Sequence, residues 1–126
     1  MMRKKTILIY GRSISRNQSL IMNFENKCKV WVVDTLLNMV NFAATHLPDL
    51  ILFELSKGSR NEVRTLKALR LLFPEVIILV IMDNQSTKEL AKILKYGATD
   101  IFPRPFDPQL LVERTEALLK RRKHGA

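Results

Sequence analysis

An open α/β sheet of five parallel strands, wound on both faces by helices, is the fold that this 126-residue sequence predicts, and three observations predict it. Apolar runs without polar alternation, such as Leu50-Ile51-Leu52-Phe53 and Val76 to Met82, mark strands buried on both faces. Between these runs, apolar residues recur three and four apart, which is the spacing of amphipathic helices. Each change of period is punctuated by a capping residue, a glycine or a proline. Strands alternating with helices, joined by right-handed crossovers, give a doubly wound sheet.

Taken in order, Thr6-Ile7-Leu8-Ile9-Tyr10 is β1, stopped by Gly11. Ser13, Ser15 and Asn17 offer caps for α1, whose Leu20, Ile21 and Phe24 recur at helical spacing until Asn26-Lys27. Val30-Trp31-Val32-Val33, β-branched and aromatic, is β2, with Trp31 expected in or near the core. Asp34-Thr35 caps α2, with an inward stripe of Leu36, Val40, Ala43 and Leu47 before Pro48-Asp49 ends it. Leu50 to Glu54 is β3, an apolar strand that finishes on a carboxylate.

After the loop Ser56-Lys57-Gly58-Ser59, α3 runs from about Arg60 to Phe73. Its apolar stripe is Val63, Leu66, Leu69 and Leu72, and Arg60, Arg64 and Lys67 make a basic outer face. Pro74 closes it, and Val76 to Met82 is β4. Ser86-Thr87-Lys88-Glu89 has capping-box spacing and opens α4, which buries Leu90, Ile93 and Leu94 and turns Lys88, Lys92 and Lys95 outward until Gly97. β5 spans Asp100 to Phe102, a strand that prolines at 103 and 105 prevent from running on as a central ladder. Asp107-Pro108 then opens α5, to about Arg121, with Leu110, Leu111, Leu118 and Leu119 facing in.

The length fits a single domain over residues 1–126, including a basic tail at 120–126. Apolar residues at 47% and charged residues at 26% exclude disorder as the default. The longest apolar run, Val76 to Met82, is too short to span a bilayer, and the basic start Met1-Met2-Arg3-Lys4-Lys5 does not lead into a signal-peptide core. No membrane is therefore expected. The single cysteine, Cys28, cannot pair internally, which fits the reducing cytoplasm.

The formal charge of +9 is spread evenly: residues 1–63 carry nine Lys/Arg against five Asp/Glu, and residues 64–126 carry twelve against seven. Four of the positive charges lie in Lys120-Arg121-Arg122-Lys123, where cations suit a helix C-terminus. Nucleic acid is thus the less favoured partner. His46 and His124 lack companions at metal spacing, Cys28 has no neighbouring catalytic group, and neither a Walker loop nor a nucleophile elbow is present.

Pro48-Asp49-Leu50-Ile51-Leu52 and, more specifically, Lys95-Tyr96-Gly97-Ala98-Thr99-Asp100-Ile101-Phe102-Pro103-Arg104-Pro105-Phe106-Asp107 resemble the β3 entry and the β5 region of response-regulator receiver domains. These are the phosphoacceptor modules of two-component signalling. The resemblance covers nearly the whole chain. It implies a (βα)5 flavodoxin-like receiver fold of strand order 2-1-3-4-5, a role in signal transduction, partners met on the α4-β5-α5 face, and a cis Arg104-Pro105 bond that brings Arg104 over Glu54.

Receivers carry a reactive centre from which this sequence departs. Gly11 and Arg12 stand at the two acidic, Mg²⁺-holding positions, and Glu54 stands at the phosphoacceptor aspartate. Met82 falls on the β4 Ser/Thr, Ile101 on the switch aromatic and Arg104 on the β5 lysine. Mg²⁺ needs several hard oxygen ligands, which Gly11 cannot supply and Arg12 opposes. The Glu54 carboxylate lies about 1.5 Å further out than an aspartate's, and displacements near 1 Å cost on the order of 100-fold in catalysis. Met82 has no donor to register a phosphoryl group.

The expectation is a degenerate receiver, a pseudo-receiver: no enzyme, no cofactor and no metal, but a phosphorylation-independent protein-interaction module in which Glu54 pairs with Arg12, Arg104 or both. Two alternatives stand beside it. One is a phosphorylatable receiver of a phosphorelay that uses Glu54, and the other is a basic nucleic-acid-binding domain using the α3 stripe and the tail. Self-association is a further expectation, with Lys88, Lys92 and Lys95 of α4 facing Glu113 and Glu116 of α5 across a twofold axis.

Overall fold

The computed structural model describes residues 3–124, with side chains up to residue 121. One parallel sheet of order β2-β1-β3-β4-β5 runs through it, built from β1 (Lys5–Tyr10), β2 (Cys28–Val33), β3 (Leu50–Glu54), β4 (Ile77–Asp83) and β5 (Asp100–Arg104). A single helical turn, Arg12–Ser15, follows β1 and leads into α1 (Gln18–Glu25). The other helices are α2 (Leu36–His46), α3 (Arg60–Leu72), α4 (Thr87–Tyr96) and α5 (Pro108–His124). Among the described residues no helix is long and apolar enough to cross a membrane.

Alternation along each strand divides the interior into two cores. Ile7, Ile9, Leu50, Leu52, Ile77, Leu79, Ile81 and Phe102 pack with Leu20 and Phe24 of α1 and Leu111, Val112 and Leu118 of α5. On the opposite face, Leu8, Ile51, Phe53, Ile78 and Val80 pack with Met39 and Ala43 of α2, Leu66 and Leu69 of α3 and Ile93 of α4. The central strands are covered on both sides, hence their unbroken apolar runs. Each fully buried Leu, Ile or Phe contributes about 1.5–3 kcal/mol relative to its exposed state.

The caps are built from the residue types that the sequence offers. Asn17, Thr35, Ser59 and Ser86 accept a hydrogen bond from the N–H three residues on, at the start of α1, α2, α3 and α4 respectively. Two glycines are required by the backbone. Gly97, at φ 133, ends α4 where an added Cβ would lie 2.6 Å from Arg70 Cβ; Gly11, at φ 143, ends β1. Arg70 fills the space beside Gly97 and ties the turn together, donating to Gly97 O at 2.9 Å, Val76 O at 2.8 Å and Pro74 O at 3.0 Å. It also donates to Thr99 Oγ1 at 3.2 Å.

Several predicted inward positions face solvent instead. Leu47 is the left-handed residue that ends α2, one step past the last residue held by the helix, and it is exposed. Leu72, Leu94 and Leu110 are also exposed, each one residue, about 100° round the helix, from a neighbour that packs instead (Phe73, Ile93 and Leu111), and Met39, Val112 and Thr115 take up buried positions. Trp31 is 48% exposed: β2 is an edge strand, so the indole rests against the Phe42 and His46 rings rather than in the core. β5 extends to Arg104, two residues beyond its predicted end, because Pro103 sits on an outer strand where its missing N–H costs no ladder bond. Of the basic tail, Lys120 and Arg121 are exposed on α5. The side chains of Arg122, Lys123 and His124, and residues 125–126, lie outside what is described.

Candidate functional site at the carboxyl end of the sheet

The face of the sheet that carries Leu52, Ile81 and Phe102 carries Glu54, Asp83 and Arg104 two residues further on, by simple alternation. Register sets Glu54 beside Ile81 and, two residues further along the sheet, Asp83 directly opposite Arg104. All three therefore meet at the carboxyl edge, where parallel α/β sheets place ligands and working residues. The Arg104-Pro105 bond is cis, and it lies at the turn from β5 towards α5.

Arg104 is the hub. Its Nη1 donates to Glu54 Oε2 at 2.5 Å, its Nε to Asp83 Oδ1 at 2.9 Å and its Nη2 to the Leu55 carbonyl at 3.1 Å. Glu54 is 7% exposed, and its remaining acceptor capacity is taken by Ser13, through the backbone N–H at 3.0 Å and through Oγ. Of the two arginines proposed as partners for Glu54, it is Arg104 that pairs, whereas Arg12 is exposed and has no ion pair among the described residues. The hydrogen bond from Arg104 holds the Asp83 carboxyl below its ordinary range. The Arg104 guanidinium is held above its own, first by the Asp83 bond and then, against a desolvation cost, by Glu54.

Gly11 shows how the pocket is filled. A Cβ added there would come within 2.3 Å of Glu54 Cβ and 2.5 Å of Glu54 Oε1. The Glu54 side chain thus lies in the space that a side chain at position 11 would need. The Mg²⁺ implied by the receiver resemblance does not fit these residues: position 11 has no oxygen to offer and no room for one, and the buried carboxylate already holds a guanidinium and a serine. Among the described residues no three His, Cys, Asp or Glu side chains come together at metal-binding geometry.

A second polar knot fixes the loop after β3. Glu62, buried on the first turn of α3, accepts from Ser56 N at 2.6 Å and from Tyr10 Oη at 3.2 Å. Burial and then the neighbouring Glu62 charge push the Tyr10 hydroxyl up. Met82 and Ile101 are half-buried and pack against the α2/α3/α4 core.

The proposed α4–α5 charges are dispersed by contacts within the chain. Lys92 pairs with Glu89 at 3.5 Å, Glu113 accepts from Gln109 at 3.3 Å, and Glu116 reaches Lys27 at 3.4 Å on the α1 side. Lys88 and Lys95 are exposed and have no ion pair among the described residues. The sequence pattern does not single out Asp83 and Glu62 and marks Ser13 only as a helix cap, although Asp83 is register-paired with Arg104 and Ser13 lies just past the glycine that ends β1.

No family model matches the chain, and no curated protein does. Solved structures do match in shape. The receiver domain protein (CheY-like) from Methanospirillum hungatei JF-1 superposes with a TM-score of 0.85 at 18% identity, covering 98% of this chain and 100% of that one. The receiver domain of the Francisella response regulator 1452 gives 0.80 at 21% identity, covering 94% and 98%. Chemotaxis protein CheY4 of Vibrio cholerae gives 0.79 at 19% identity, covering 91% and 98%. With its strand order and its helices on both faces, the chain has the flavodoxin-like fold of response-regulator receiver domains.

Proposed function

We propose that this chain is a pseudo-receiver: a member of the response-regulator receiver family that acts in cytoplasmic signal transduction without phosphorylation, as a non-enzymatic protein-interaction module. The observation that carries the reading is the closed cluster at the sheet's carboxyl edge. Glu54 occupies the phosphoacceptor position, fills the space over Gly11 and is held by Arg104 and Ser13. A phosphoryl group arriving there would meet a carboxylate already paired, and the cation beside it, Arg104, is already shared between Glu54 and Asp83. The cluster has its charges already engaged, one guanidinium between two carboxylates, as in a permanently set site rather than one awaiting a signal.

Of the two kinds of partner, another protein is favoured over a second copy, because Glu116 is engaged with Lys27 and leaves the α4–α5 face short of negative charge. Incubation with Mg²⁺ and acetyl phosphate followed by intact-mass measurement tests the proposal. No mass gain is expected, and a stable phosphoryl adduct on Glu54 would overturn it.

A further inference from the structure

A groove of about 760 Å³ runs between α3 and α4 and opens at the carboxyl edge of the sheet, where Asp83 and Arg104 of the Glu54 cluster line its end. Val63, Met82 and Ile93 give it apolar lining, the cations Arg60, Arg64 and Lys67 rise along one wall, and on the other Lys92 is paired with Glu89. Among the described residues Arg60 and Arg64 have no ion-pair partner, while Lys67 rests over the Tyr96 ring at 4.1 Å. Leu71, at 83% exposure the most exposed large apolar residue described, continues the same helical stripe, since positions 60, 64, 67 and 71 follow four-three-four spacing. The structure therefore presents a line of three cations closing on an exposed leucine.

We infer that this groove docks an acidic amphipathic helix from a protein partner, its carboxylates meeting Arg60, Arg64 and Lys67 and its apolar residues meeting Val63 and Ile93 in the groove and Leu71 beyond its end. The inference rests on the reading of the chain as an interaction module and names the class of partner. Spacing selects an extended ligand: Arg60 and Lys67 are about 10 Å apart along the helix axis, more than one phosphate spans but two turns of a second helix. Lining selects peptide over nucleic acid. Tyr96 is the only aromatic residue in the groove, and Lys67 already covers its face, so unstacked bases find no platform. A second copy of this chain, at +9, does not supply the complementary charge.

The test is fluorescence anisotropy of the full chain with a labelled synthetic peptide of about four helical turns, carrying Glu at i, i+4 and i+7 beside a leucine stripe. A scrambled peptide of the same composition and a single-stranded oligonucleotide of equal charge serve as comparisons. Saturable binding of the patterned peptide is expected. It should weaken about ten-fold or more in Arg60→Glu/Arg64→Glu and several-fold in Leu71→Ala, and be unchanged in Lys88→Glu/Lys95→Glu. Absence of binding, equal binding of the scrambled peptide, or indifference to the α3 substitutions overturns the groove, and tighter oligonucleotide binding reassigns it to nucleic acid. Repeating the titration after acetyl phosphate treatment separates the two proposals. A phosphoryl adduct with peptide binding intact would refute only the pseudo-receiver reading, and an unmodified chain that binds no peptide would refute only the groove.

Discussion

Arg104 Nη1 lies 2.5 Å from Glu54 Oε2, and the same guanidinium reaches Asp83 at 2.9 Å, so one arginine ties together the ends of three strands. Removing either member leaves the other in a different condition. Arg104→Ala strands a buried carboxylate with only Ser13 for company, while Glu54→Ala leaves the arginine with Asp83 and the Leu55 carbonyl. Arg104→Ala should therefore be the more destabilising, by about 2–3 kcal/mol against about 1 for Glu54→Ala. Urea denaturation of both single variants and the double variant checks the order. Equal midpoints for wild type and Glu54→Ala would mean the pair contributes nothing.

Restoring an acid at position 11 should not restore a metal site. Gly11→Asp puts a Cβ against Glu54 and an L side chain at φ 143, and the two penalties together come to about 2–4 kcal/mol. The variant is expected to melt well below wild type, with no rise in melting temperature on adding Mg²⁺. Glu54→Ala/Gly11→Asp should recover little of the loss, since alanine keeps the Cβ that lies 2.3 Å from the added one and the backbone strain remains. A Mg²⁺-dependent stabilisation of the single variant would contradict this.

Gly97 and Arg70 form a comparable pair at the other end of β5. Gly97→Ala meets Arg70 Cβ at 2.6 Å and forces a residue with a Cβ into φ 133, which should cost about 2–4 kcal/mol. Arg70→Lys should also destabilise, because an ammonium cannot span the carbonyls of Gly97, Pro74 and Val76 and the Thr99 hydroxyl that the guanidinium reaches at once. Thermal melts of the two variants check this, and wild-type stability in Arg70→Lys would show that the fork geometry is not needed.

Much of this architecture is legible in the sequence, and the reasons for what is not are physical. Unbroken apolar runs identify β1, β3 and β4 because each is covered on both faces, and alternation beyond Leu52 and Phe102 already assigns Glu54 and Arg104 to one side of the sheet. Asp83 stays hidden because it joins the cluster only through the β4–β5 register, which one strand read alone does not carry. Trp31 misleads because β-branched and aromatic residues mark a strand without saying whether it is an edge. Leu47 misleads because it lies past the end of its helix, and Leu72, Leu94 and Leu110 mislead because in paired apolar residues spacing alone does not say which of the two faces the core. Ser13 reads as a cap, and becomes a ligand of Glu54 because Gly11 turns the chain back over the strand end.

The remaining prediction concerns acid. Burial would push the Asp49 carboxyl up, but the bidentate bonds from Arg3 at 3.0 and 3.1 Å, the Thr6 N–H at 2.7 Å and the Arg3 and Lys5 charges outweigh it and hold it below the ordinary range. A carboxyl depressed in the folded state binds protons more readily when unfolded. Its contribution is thus complete above the unfolded value near 4 and is lost as pH falls through the lower folded value. Arg3 is largely exposed, so solvent screening limits the pair to about 1 kcal/mol. Arg3→Ala should therefore melt below wild type at neutral pH, with the gap closing as pH falls from about 5 to about 2. A gap that stays constant over that range would show that Arg3 acts through packing rather than through the Asp49 charge.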